Sequence, residues 1–233
     1  MTYTQRLSRA PRPIRRWLLY FECEITEAVA RFAGALTAGA LVLDAGSGEG
    51  QYKRFFAHQR YLGVDLGVGD ARWNYRALDA VADLTALPFP ASTFDAALNI
   101  VTIEHLRDPA SALAEIGRVL KPGGAFLLVA PLEWEEHQQP HDYFRYTRFG
   151  LRSLLESAGF DEIQLSPAGG FFRLLSRRLL NGLQFFMRGV GWLLFPAAVL
   201  VFVPLSLVLP VLEPLDRERN FTLGYICTAR KTR

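Results

Sequence analysis

LVLDAGSGEG, residues 41–50, decides the fold of this 233-residue chain. An apolar run ends in an acid, and three glycines then follow on alternate positions. The next apolar run, Tyr61–Leu66, contains a second acid, Asp65. Strand, glycine turn, helix, strand and acid is the order in which an open α/β sheet forms a nucleotide site at the carboxyl ends of its strands. We therefore expect Asp65 to accept hydrogen bonds from two ribose hydroxyls.

The spacing of the glycines separates two classes of cofactor. Dinucleotide sites favour G-x-G-x-x-G, with a helix amino terminus facing a pyrophosphate. Here the pattern is G-x-G-x-G, at Gly46, Gly48 and Gly50, and Asp44 stands two residues before it. A carboxylate there would repel a diphosphate but suits a ligand that carries an ammonium and a sulfonium group. The pattern therefore favours S-adenosylmethionine, although a tight turn could use the same glycines without any ligand.

Composition narrows the class of protein. Half of the residues are hydrophobic, and the net charge of +3 implies no nucleic-acid partner. Two cysteines are too few for a disulfide framework and indicate a reducing compartment. We expect no signal peptide, because no apolar run precedes Trp17.

Periodicity and turn signals place the other elements. Strands are predicted at 41–45, 61–65, 78–82, 94–101, 125–130, 161–166 and 222–230. Helices are predicted at 14–33, near 50–58, from Pro109 to Leu120 with Asp108 as its cap, and from Thr147 to Ser157. Strands that alternate with helices indicate an α/β fold with a largely parallel sheet.

Five motifs follow one another along the chain: LDAGSGEG at 43–50, GVDL at 63–66, ADLTALPFPASTFDAAL at 82–98, EHL at 104–106 and LKPGG at 120–124. Together they resemble the class I S-adenosylmethionine-dependent methyltransferases, especially the type 11 group. The resemblance runs from about Leu41 to Phe160 and resumes at the last strand. It implies a doubly wound, Rossmann-like α/β sheet of seven strands, whose last strand is antiparallel and lies between strands five and six. A hydrophobic helical insertion precedes that last strand.

The resemblance also implies which residues bind the methionine part of the cofactor. Gly46, Gly48 and Gly50 would line it, and Asp44 would support its ammonium group through the turn. Asn99, at the end of the fourth strand, would border the sulfonium.

A second group is implied for the nucleoside part. Asp65 would hold the ribose hydroxyls, and Leu66 would touch the face of the adenine. Asp83 would accept a hydrogen bond from the adenine amine, with the Leu84 backbone near the ring. Leu66 and Leu84 could instead be core residues, and Asp83 could be a turn cap.

The candidate catalytic residues are His105, His141 and Tyr143. His105 follows the fourth strand, and the segment 141–147 follows the fifth, so both should lie at the carboxyl edge of the sheet. There a histidine could remove a proton from the acceptor, and Tyr143 could flank an apolar or sugar ring. Within the same segment Arg145 could pair with a phosphate or carboxylate and Tyr146 could flank the ring; a surface salt bridge is the alternative for Arg145.

No metal is predicted. In related quinone O-methyltransferases a Glu-x-x-Glu-His cluster holds a divalent cation, but here Val101 occupies the first position. His137 and His141 have a spacing that could bind a metal on a helix, yet Pro140 between them would break that helix.

An insertion of about fifty residues separates the last two strands, more than an ordinary connection needs. Its Gly189–Leu212 run holds 24 residues without a charge. A helix of that length would measure about 36 Å and could span a bilayer. A single crossing, however, would place the last strand on the wrong side of the membrane. Pro196, Pro204 and Pro210 favour a shallow hairpin that begins and ends on one face.

Basic residues on both sides of the run suit anionic headgroups: Arg173, Arg177, Arg178, Arg188, Arg217 and Arg219. A dimer interface or a substrate lid is the alternative use of this apolar surface. The sequence thus predicts an N-terminal helical segment over 1–38, a methyltransferase domain over 39–170 and 220–233, and a membrane-associating insertion over 171–219.

The function predicted from these features is methyl transfer from S-adenosylmethionine to a hydrophobic, small-molecule or lipid-linked acceptor. The enzyme would be monotopic, at the cytoplasmic face of the membrane. Two alternatives stay open: a catalytically inactive S-adenosylmethionine-binding membrane partner, and a soluble cytoplasmic small-molecule methyltransferase. An NAD-dependent short-chain enzyme is disfavoured, because no Tyr-x-x-x-Lys pair occurs.

Overall fold

The computed structural model describes residues 11–69 and 73–233. The strands are β1 (Leu41–Ala45), β2 (Arg60–Asp65), β3 (Ala80–Val81), β4 (Phe94–Ile100), β5 (Leu120–Pro131), β6 (Phe160–Pro167) and β7 (Gly224–Lys231). The α-helices are α1 (Arg12–Leu18), α2 (Tyr20–Ala35), α3 (Pro109–Val119), α4 (Arg148–Ser157), α5 (Phe171–Gly182) and α6 (Phe195–Val208). Short 3-10 helices lie at Lys53–Phe55, Tyr75–Ala77, Ile103–His105, Leu183–Phe186, Gly189–Leu193 and Leu209–Leu215.

The seven strands form one sheet in the order β3-β2-β1-β4-β5-β7-β6. β1 pairs in parallel with β2 and β4, and β4 pairs in parallel with β5. β7 runs antiparallel to β5, with Leu128 opposite Cys227. The predicted α/β sheet, with its antiparallel last strand between the fifth and sixth strands, is confirmed. The carboxyl ends of β1, β2 and β4 therefore share one edge.

Burial explains why the central strands read as nearly continuous apolar runs. Val42 and Leu43 of β1 are fully buried, as are Ala96, Ala97 and Leu98 of β4. A strand that is covered on both faces has no solvent side on which to place polar residues. The acid of β1 and the amide of β4 are exceptions to this rule, and both lie at the carboxyl edge.

Helices α3 and α4 begin where their caps predict. Asp108 Oδ1 accepts a hydrogen bond from Ser111 N at 3.0 Å. Thr147 Oγ1 accepts one from Gly150 N at 3.2 Å. Each side chain satisfies an amide that has no partner inside its helix.

Three sequence-based expectations need correction. The helix expected near 50–58 is only a 3-10 turn, because Gly50 still has a φ of +70° and Arg60 already donates to Ala40 O. The third strand is short, although Asp79 N and Ala82 N extend its pairing with β2 by hydrogen bonds of 3.0 and 3.1 Å. The helix expected over 14–33 is two helices, α1 and α2.

The chain forms two compact units. One contains residues 25–166 and 224–233 and carries the sheet except for Pro167, the last residue of β6. The other contains 11–24 and 167–223 of the described residues and carries α1, α5 and α6.

Within the second unit, the two ends of the apolar insertion are tied together. Gly170 N donates to Glu213 Oε1, and Arg173 N donates to Glu213 Oε2 at 3.0 Å. Phe171 N donates to Asp216 Oδ2 at 2.7 Å. Two acids that follow α6 thus supply the acceptors that the first turn of α5 needs. The two ends of the insertion therefore lie next to each other.

A second contact holds α5 against α6. Ser176 Oγ donates to the Ser206 carbonyl at 2.6 Å, and both residues are buried. In a regular helix this carbonyl would accept from residue 210, which is proline and has no N–H. Ser176 therefore satisfies a carbonyl that Pro210 leaves without its helical donor.

Candidate functional site

The glycine turn follows β1 and is held by β2. Gly46 N and Ser47 N both donate to Val64 O, at 2.7 and 3.0 Å. Gly46, Gly48 and Gly50 have φ angles of +87°, +53° and +70°, in the left-handed region that favours glycine. At these three positions the turn therefore presents backbone without side chains at the carboxyl edge of the sheet.

Asp65, at the end of β2, holds this turn by its carboxylate. Its Oδ2 accepts from Gly48 N at 2.9 Å, and its Oδ1 accepts from Gly67 N at 2.8 Å. A carboxylate oxygen has two lone-pair directions, so each oxygen retains one for a further donor. Asp65 can accept two hydroxyls without releasing the backbone.

Asp44 and Asn99 bring two unsatisfied oxygens to adjacent strand ends. Both side chains are 1 % exposed. Tyr61 OH donates to Asp44 Oδ2, and Asn99 Nδ2 donates to Ala45 O at 2.7 Å. Within the described residues, Asp44 Oδ1 and Asn99 Oδ1 have no hydrogen-bond partner. Buried acceptors of this kind are uncommon, and they mark a place where a donor belongs.

The environment of Asp44 sets its protonation. Burial raises the pKa of the Asp44 carboxyl to about 7. The hydrogen bond from Tyr61 lowers this pKa, whereas the negative charge of Asp65 raises it further. Burial beside Asp44 also raises the pKa of Tyr61, so the phenol stays a donor. A cation placed near Asp44 would favour its ionised form.

The residues predicted for the nucleoside part are spread more widely. Leu66 is 49 % exposed, directly after Asp65. Leu84 is buried in the hydrophobic core. Asp83 is exposed, and its Oδ1 accepts from both Thr85 N and Thr85 Oγ1 at 2.8 Å. Leu84 is thus packed as a core residue, and Asp83 makes the contacts of a turn cap, which are the alternatives given for them above. Their contacts with adenine stay predictions.

The chain turns sharply where β4 ends. Val101 has a φ of +52°, which is strained for a β-branched residue. Thr102 Oγ1 then donates to Gly46 O at 3.1 Å, so the segment after β4 lies against the glycine turn. The 3-10 helix Ile103–His105 follows and brings His105 to this edge.

Glu104 is fully buried in this 3-10 helix. Among the described residues, neither of its carboxylate oxygens has a hydrogen-bond partner. Burial raises its pKa to about 8, although the positive charge of Arg145 lowers it. Its backbone carbonyl accepts from Tyr143 N at 2.9 Å. The loop after β5 therefore folds back over the turn after β4.

This loop places the other two predicted catalytic residues beside the first. His105 Nδ1 lies 2.7 Å from His141 O, and His141 Nδ1 lies 3.1 Å from Tyr143 OH. Burial lowers the pKa of His105, although the hydrogen bond to His141 O raises it. The structure thus brings His105, His141 and Tyr143 together, and their catalytic role stays a prediction.

Arg145 and Tyr146 have hydrogen-bond partners within the protein, and their contact with a substrate stays a prediction. Arg145 Nη1 and Nη2 donate to the two carboxylate oxygens of Asp142 at 2.6 and 2.7 Å. Asp142 also accepts from His137 N at 2.8 Å. Burial opposes ionisation of Asp142, but these hydrogen bonds outweigh it and hold its pKa at about 2. Tyr146 is buried and donates to Ile103 O, so both residues brace the loop.

Three residues at the site were missed in the sequence. Tyr61 is the donor to Asp44, Thr102 lies against Gly46, and the ring of Trp73 lies 3.2 Å from where a Cβ on Gly48 would be. Two aromatic residues, Trp73 and Tyr75, in a polar, glycine-containing segment were a signal for Trp73. Tyr61 and Thr102 carry no comparable local signal.

Comparisons with known proteins show what the chain is similar to. Residues 43–128 match the protein family described as "Methyltransferase domain". A protein of Mycolicibacterium smegmatis named "Probable S-adenosylmethionine-dependent methyltransferase" is 35 % identical over 136 residues, which cover 53 % of each chain. The 2-methyl-6-phytyl-1,4-hydroquinone methyltransferase of Synechocystis is 27 % identical over 209 residues, covering 78 % of this chain and 66 % of that one.

A solved structure has the same fold. The 1,6-didemethyltoxoflavin-N1-methyltransferase of Burkholderia thailandensis, crystallised with 1,6-didemethyltoxoflavin and S-adenosylhomocysteine, superposes with a TM-score of 0.55 at 21 % identity. The match covers 89 % of this chain and 77 % of that one. The first relative named above is matched over only about half of its own length.

Proposed function

Because the chain carries a class I S-adenosylmethionine-dependent methyltransferase domain, we propose that it transfers a methyl group from S-adenosylmethionine to a hydrophobic or lipid-linked acceptor at the cytoplasmic face of a membrane. The observation that supports the acceptor class is the large apolar surface of the insertion. The enzyme would associate with one leaflet and would not cross the bilayer.

The site residues fit the cofactor. The two unsatisfied buried oxygens, Asp44 Oδ1 and Asn99 Oδ1, suit the ammonium and the positive sulfonium end of its methionine part. Asp65 retains lone pairs for the ribose hydroxyls. When bound, the cofactor supplies a methyl group on a positively charged sulfur, which is already activated for displacement. The chain's own residues therefore have to orient the acceptor, exclude water and hold a proton where one is released.

The acceptor side is formed by the segment after β4 and the loop after β5. We propose that His141 and Tyr143 face the acceptor there and that His105 lies deeper, where it is half-buried. The oxygen of Tyr143 and the imidazole of His141 already contact each other, so one can pass a proton to the other. The Arg145–Asp142 pair keeps this loop in place without contacting the acceptor.

Exposure of the insertion supports the membrane part of the proposal. Among the described residues, one helical stretch, Phe195–Leu215, is long and apolar enough to cross a membrane, and 17 % of it is buried within the protein. A core helix of a soluble protein would be mostly buried. In the 3-10 helix before it, Val190 and Leu193 are 88 % and 82 % exposed. Exposed apolar side chains that cluster in this way are typical of a protein or membrane interaction surface.

Two further observations favour a shallow hairpin over a crossing. Both ends of the insertion are tied together by Glu213 and Asp216, so the chain returns to its starting point. Arg188 and Arg217 are exposed at the two ends of the apolar run and suit anionic headgroups. In contrast, Arg177 pairs with Glu22 at 3.2 Å within the same unit. The relative that methylates a phytyl-substituted hydroquinone, an acceptor with a long apolar chain, supports the same acceptor class.

The membrane proposal is tested by flotation of the full chain with vesicles of phosphatidylethanolamine and phosphatidylglycerol. We expect the wild type to float with the vesicles and a Val190→Asp/Leu193→Asp variant to remain in the aqueous layer. Each apolar side chain contributes roughly 1.5–3 kcal/mol when it leaves water. Neither residue is packed, so the fold should survive. Phe149→Asp is the matched control, since Phe149 is 76 % exposed on α4, outside the insertion.

The same preparation tests catalysis. Methyl-labelled S-adenosylmethionine and a membrane lipid extract should yield label in an organic-soluble product with the wild type. If the wild type stays in the aqueous layer, the membrane proposal is overturned in favour of a dimer interface or a lid. The same holds if the wild type is a dimer in solution and the Val190→Asp/Leu193→Asp variant is a monomer. Label that never leaves the cofactor, while the cofactor still binds, would favour a binding protein without catalysis.

Replacing Asp44 with asparagine is expected to stabilise the free protein while weakening cofactor binding. The folded-state pKa of Asp44 is raised from 3.8 to about 7, so the folded protein holds a proton that the unfolded chain releases. This group therefore destabilises the fold progressively as the pH rises from about 4 to about 7. The melting temperature of Asp44→Asn should exceed that of the wild type at pH 8 and differ less at pH 5.

At pH 8 the same variant should bind S-adenosylmethionine about tenfold more weakly or worse, because an amide does not attract an ammonium group. Thermal denaturation at the two pH values and calorimetric titration measure the two effects. A melting-temperature difference that is the same at both pH values would contradict the assigned protonation, and unchanged affinity would contradict the assigned contact.

A further inference from the structure

Three ligand-type atoms converge beside the acceptor side of the site. His105 Nε2 lies 3.1 Å from His137 Nε2. Glu104 Oε1 lies 3.8 Å from His105 Nε2 and 3.7 Å from His137 Nε2. Four ligands placed about 2.0–2.2 Å from a tetrahedral cation are roughly 3.3–3.6 Å apart, so these separations are close to those of a metal site.

The outer nitrogen of each imidazole fixes its tautomer. His105 Nδ1 lies 2.7 Å from the carbonyl of His141, which can only accept, so this nitrogen carries the proton. His137 Nδ1 lies 3.1 Å from the carbonyl of Glu135 and 3.4 Å from the Asp142 carboxylate, both acceptors. In the neutral rings both Nε2 atoms therefore present lone pairs, and these face each other across 3.1 Å.

Glu104 adds a third acceptor to the same point. Both of its oxygens are buried and lack a hydrogen-bond partner within the described residues. Two imidazole lone pairs that face each other across 3.1 Å repel unless a proton or a metal cation lies between them. A histidine that ligates a metal commonly donates its other N–H to a carbonyl or carboxylate, as both histidines do here.

We propose that Glu104, His105 and His137 bind a divalent transition-metal cation of the Zn²⁺ class. Imidazole nitrogens with one carboxylate suit Zn²⁺ and similar ions, whereas Mg²⁺ prefers oxygen ligands. The His137 side chain is 24 % exposed and provides the route of access from solvent, whereas Glu104 has no exposed surface. Asp142 lies behind His137, bound to its amide and to Arg145, and orients the ligand without binding the ion.

This ligand set differs from the one considered in the sequence. The motif of the quinone O-methyltransferases would need an acid at Val101, and the spacing of His137 and His141 suggested a pair on a helix. In the structure His137 instead turns toward the 3-10 helix after β4, and His141 contributes only a carbonyl. The third ligand thus comes from the loop after β5.

If the chain is a methyltransferase as proposed, the ion would also have a role in methyl transfer. Three protein ligands leave at least one position open, and an acceptor oxygen bound there would lose its proton more readily. His105 would then act as a ligand and not as a free base. The cluster follows Val101 and Thr102, and Thr102 contacts Gly46, so the ion would lie on the side of the site where the methyl group is transferred.

The proposal is tested by titrating Zn²⁺ alone into the full chain after removal of metals with a chelator. We expect one equivalent to bind the wild type, and Co²⁺ in its place to give the visible absorption bands of a low-coordinate site. Glu104→Gln and His137→Gln should each bind about 100-fold more weakly or not at all. His58→Gln is the matched control and should bind as the wild type does, since His58 lies outside the cluster.

Circular dichroism and S-adenosylmethionine affinity, measured on the same variants, show that the fold and the cofactor site are intact. This separates the metal site from the proposed function, because failure of the cofactor to bind would leave the Zn²⁺ titration unaffected. A wild type that takes up no Zn²⁺, or a Glu104→Gln variant that binds it as tightly as the wild type, would overturn the proposal. A proton shared by the two histidines would then hold the cluster together.

Discussion

Replacing Asp65 with alanine is expected to weaken the binding of S-adenosylmethionine by about 30- to 1000-fold. Two hydroxyl hydrogen bonds to a carboxylate are worth on the order of 2–4 kcal/mol together. The structure adds a second reason, because the same carboxylate accepts from Gly48 N and Gly67 N and so holds the glycine turn in its binding conformation. Calorimetric titration of the wild type and the variant measures the difference directly.

Asp79→Ala is the control for this variant. Asp79 is also an acid beside β2 that accepts a backbone amide, Gly63 N, at 2.9 Å, and it forms a salt bridge with Lys53. It has no proposed contact with the cofactor, so its loss should leave the affinity within about threefold of the wild type. Equal affinity of wild type and Asp65→Ala would remove Asp65 from the site.

Replacing Gly46 with alanine is expected to abolish measurable cofactor binding and to lower stability strongly. A Cβ at this position would lie 2.2 Å from Thr102 Cγ2 and 2.6 Å from Thr102 Oγ1. Thr102 cannot rotate away freely, because its Oγ1 is bonded to the carbonyls of Gly46 and Ile100. The φ of +87° adds strain of roughly 1–2 kcal/mol, and the collision adds about 1–3 kcal/mol.

Gly39→Ala separates these two contributions. Gly39 has a similar φ of +78°, but nothing lies within 4 Å of its Cβ position. Urea unfolding should therefore show a smaller loss of stability for Gly39→Ala than for Gly46→Ala, with cofactor binding retained. Adding Thr102→Ser to Gly46→Ala removes Cγ2 and should restore part of the stability. Equal losses at Gly39 and Gly46 would contradict the close approach of the two segments.

The glycine turn and the sheet were predictable because their signals are local. The acid at Asp44, the spacing of the glycines and the acid at Asp65 all belong to one strand–turn–strand unit, and their chemistry follows from the sequence order. The same holds for the caps Asp108 and Thr147, whose bonds span three residues.

The contacts around Glu104 could not be predicted in the same way. His137 and His105 are 32 positions apart, and their contact depends on how the loop after β5 folds over the turn after β4. Spacing in the sequence paired His137 with His141 instead. The local sequence pattern also does not show whether a glutamate that follows a strand is exposed or fully buried. Glu104 is fully buried, and the proposed metal site depends on that burial.

The insertion also has features that the sequence predicts and features that it does not. The length of its apolar run and its prolines can be recognised in the sequence, and they favour a hairpin. The pairing of Glu213 with Gly170, and of Asp216 with Phe171, brings the two ends together over more than 40 positions, and composition alone does not specify those partners.

The central claim is that the glycine turn binds S-adenosylmethionine, and calorimetric titration of the wild-type chain tests it most directly. The ligand is compared with NAD⁺, because the G-x-G-x-G spacing and Asp44 are the features that argue against a diphosphate. We expect S-adenosylmethionine to bind saturably with one site per chain, and NAD⁺ to give no binding heat. Saturable binding of NAD⁺, or no binding of S-adenosylmethionine, would contradict the account.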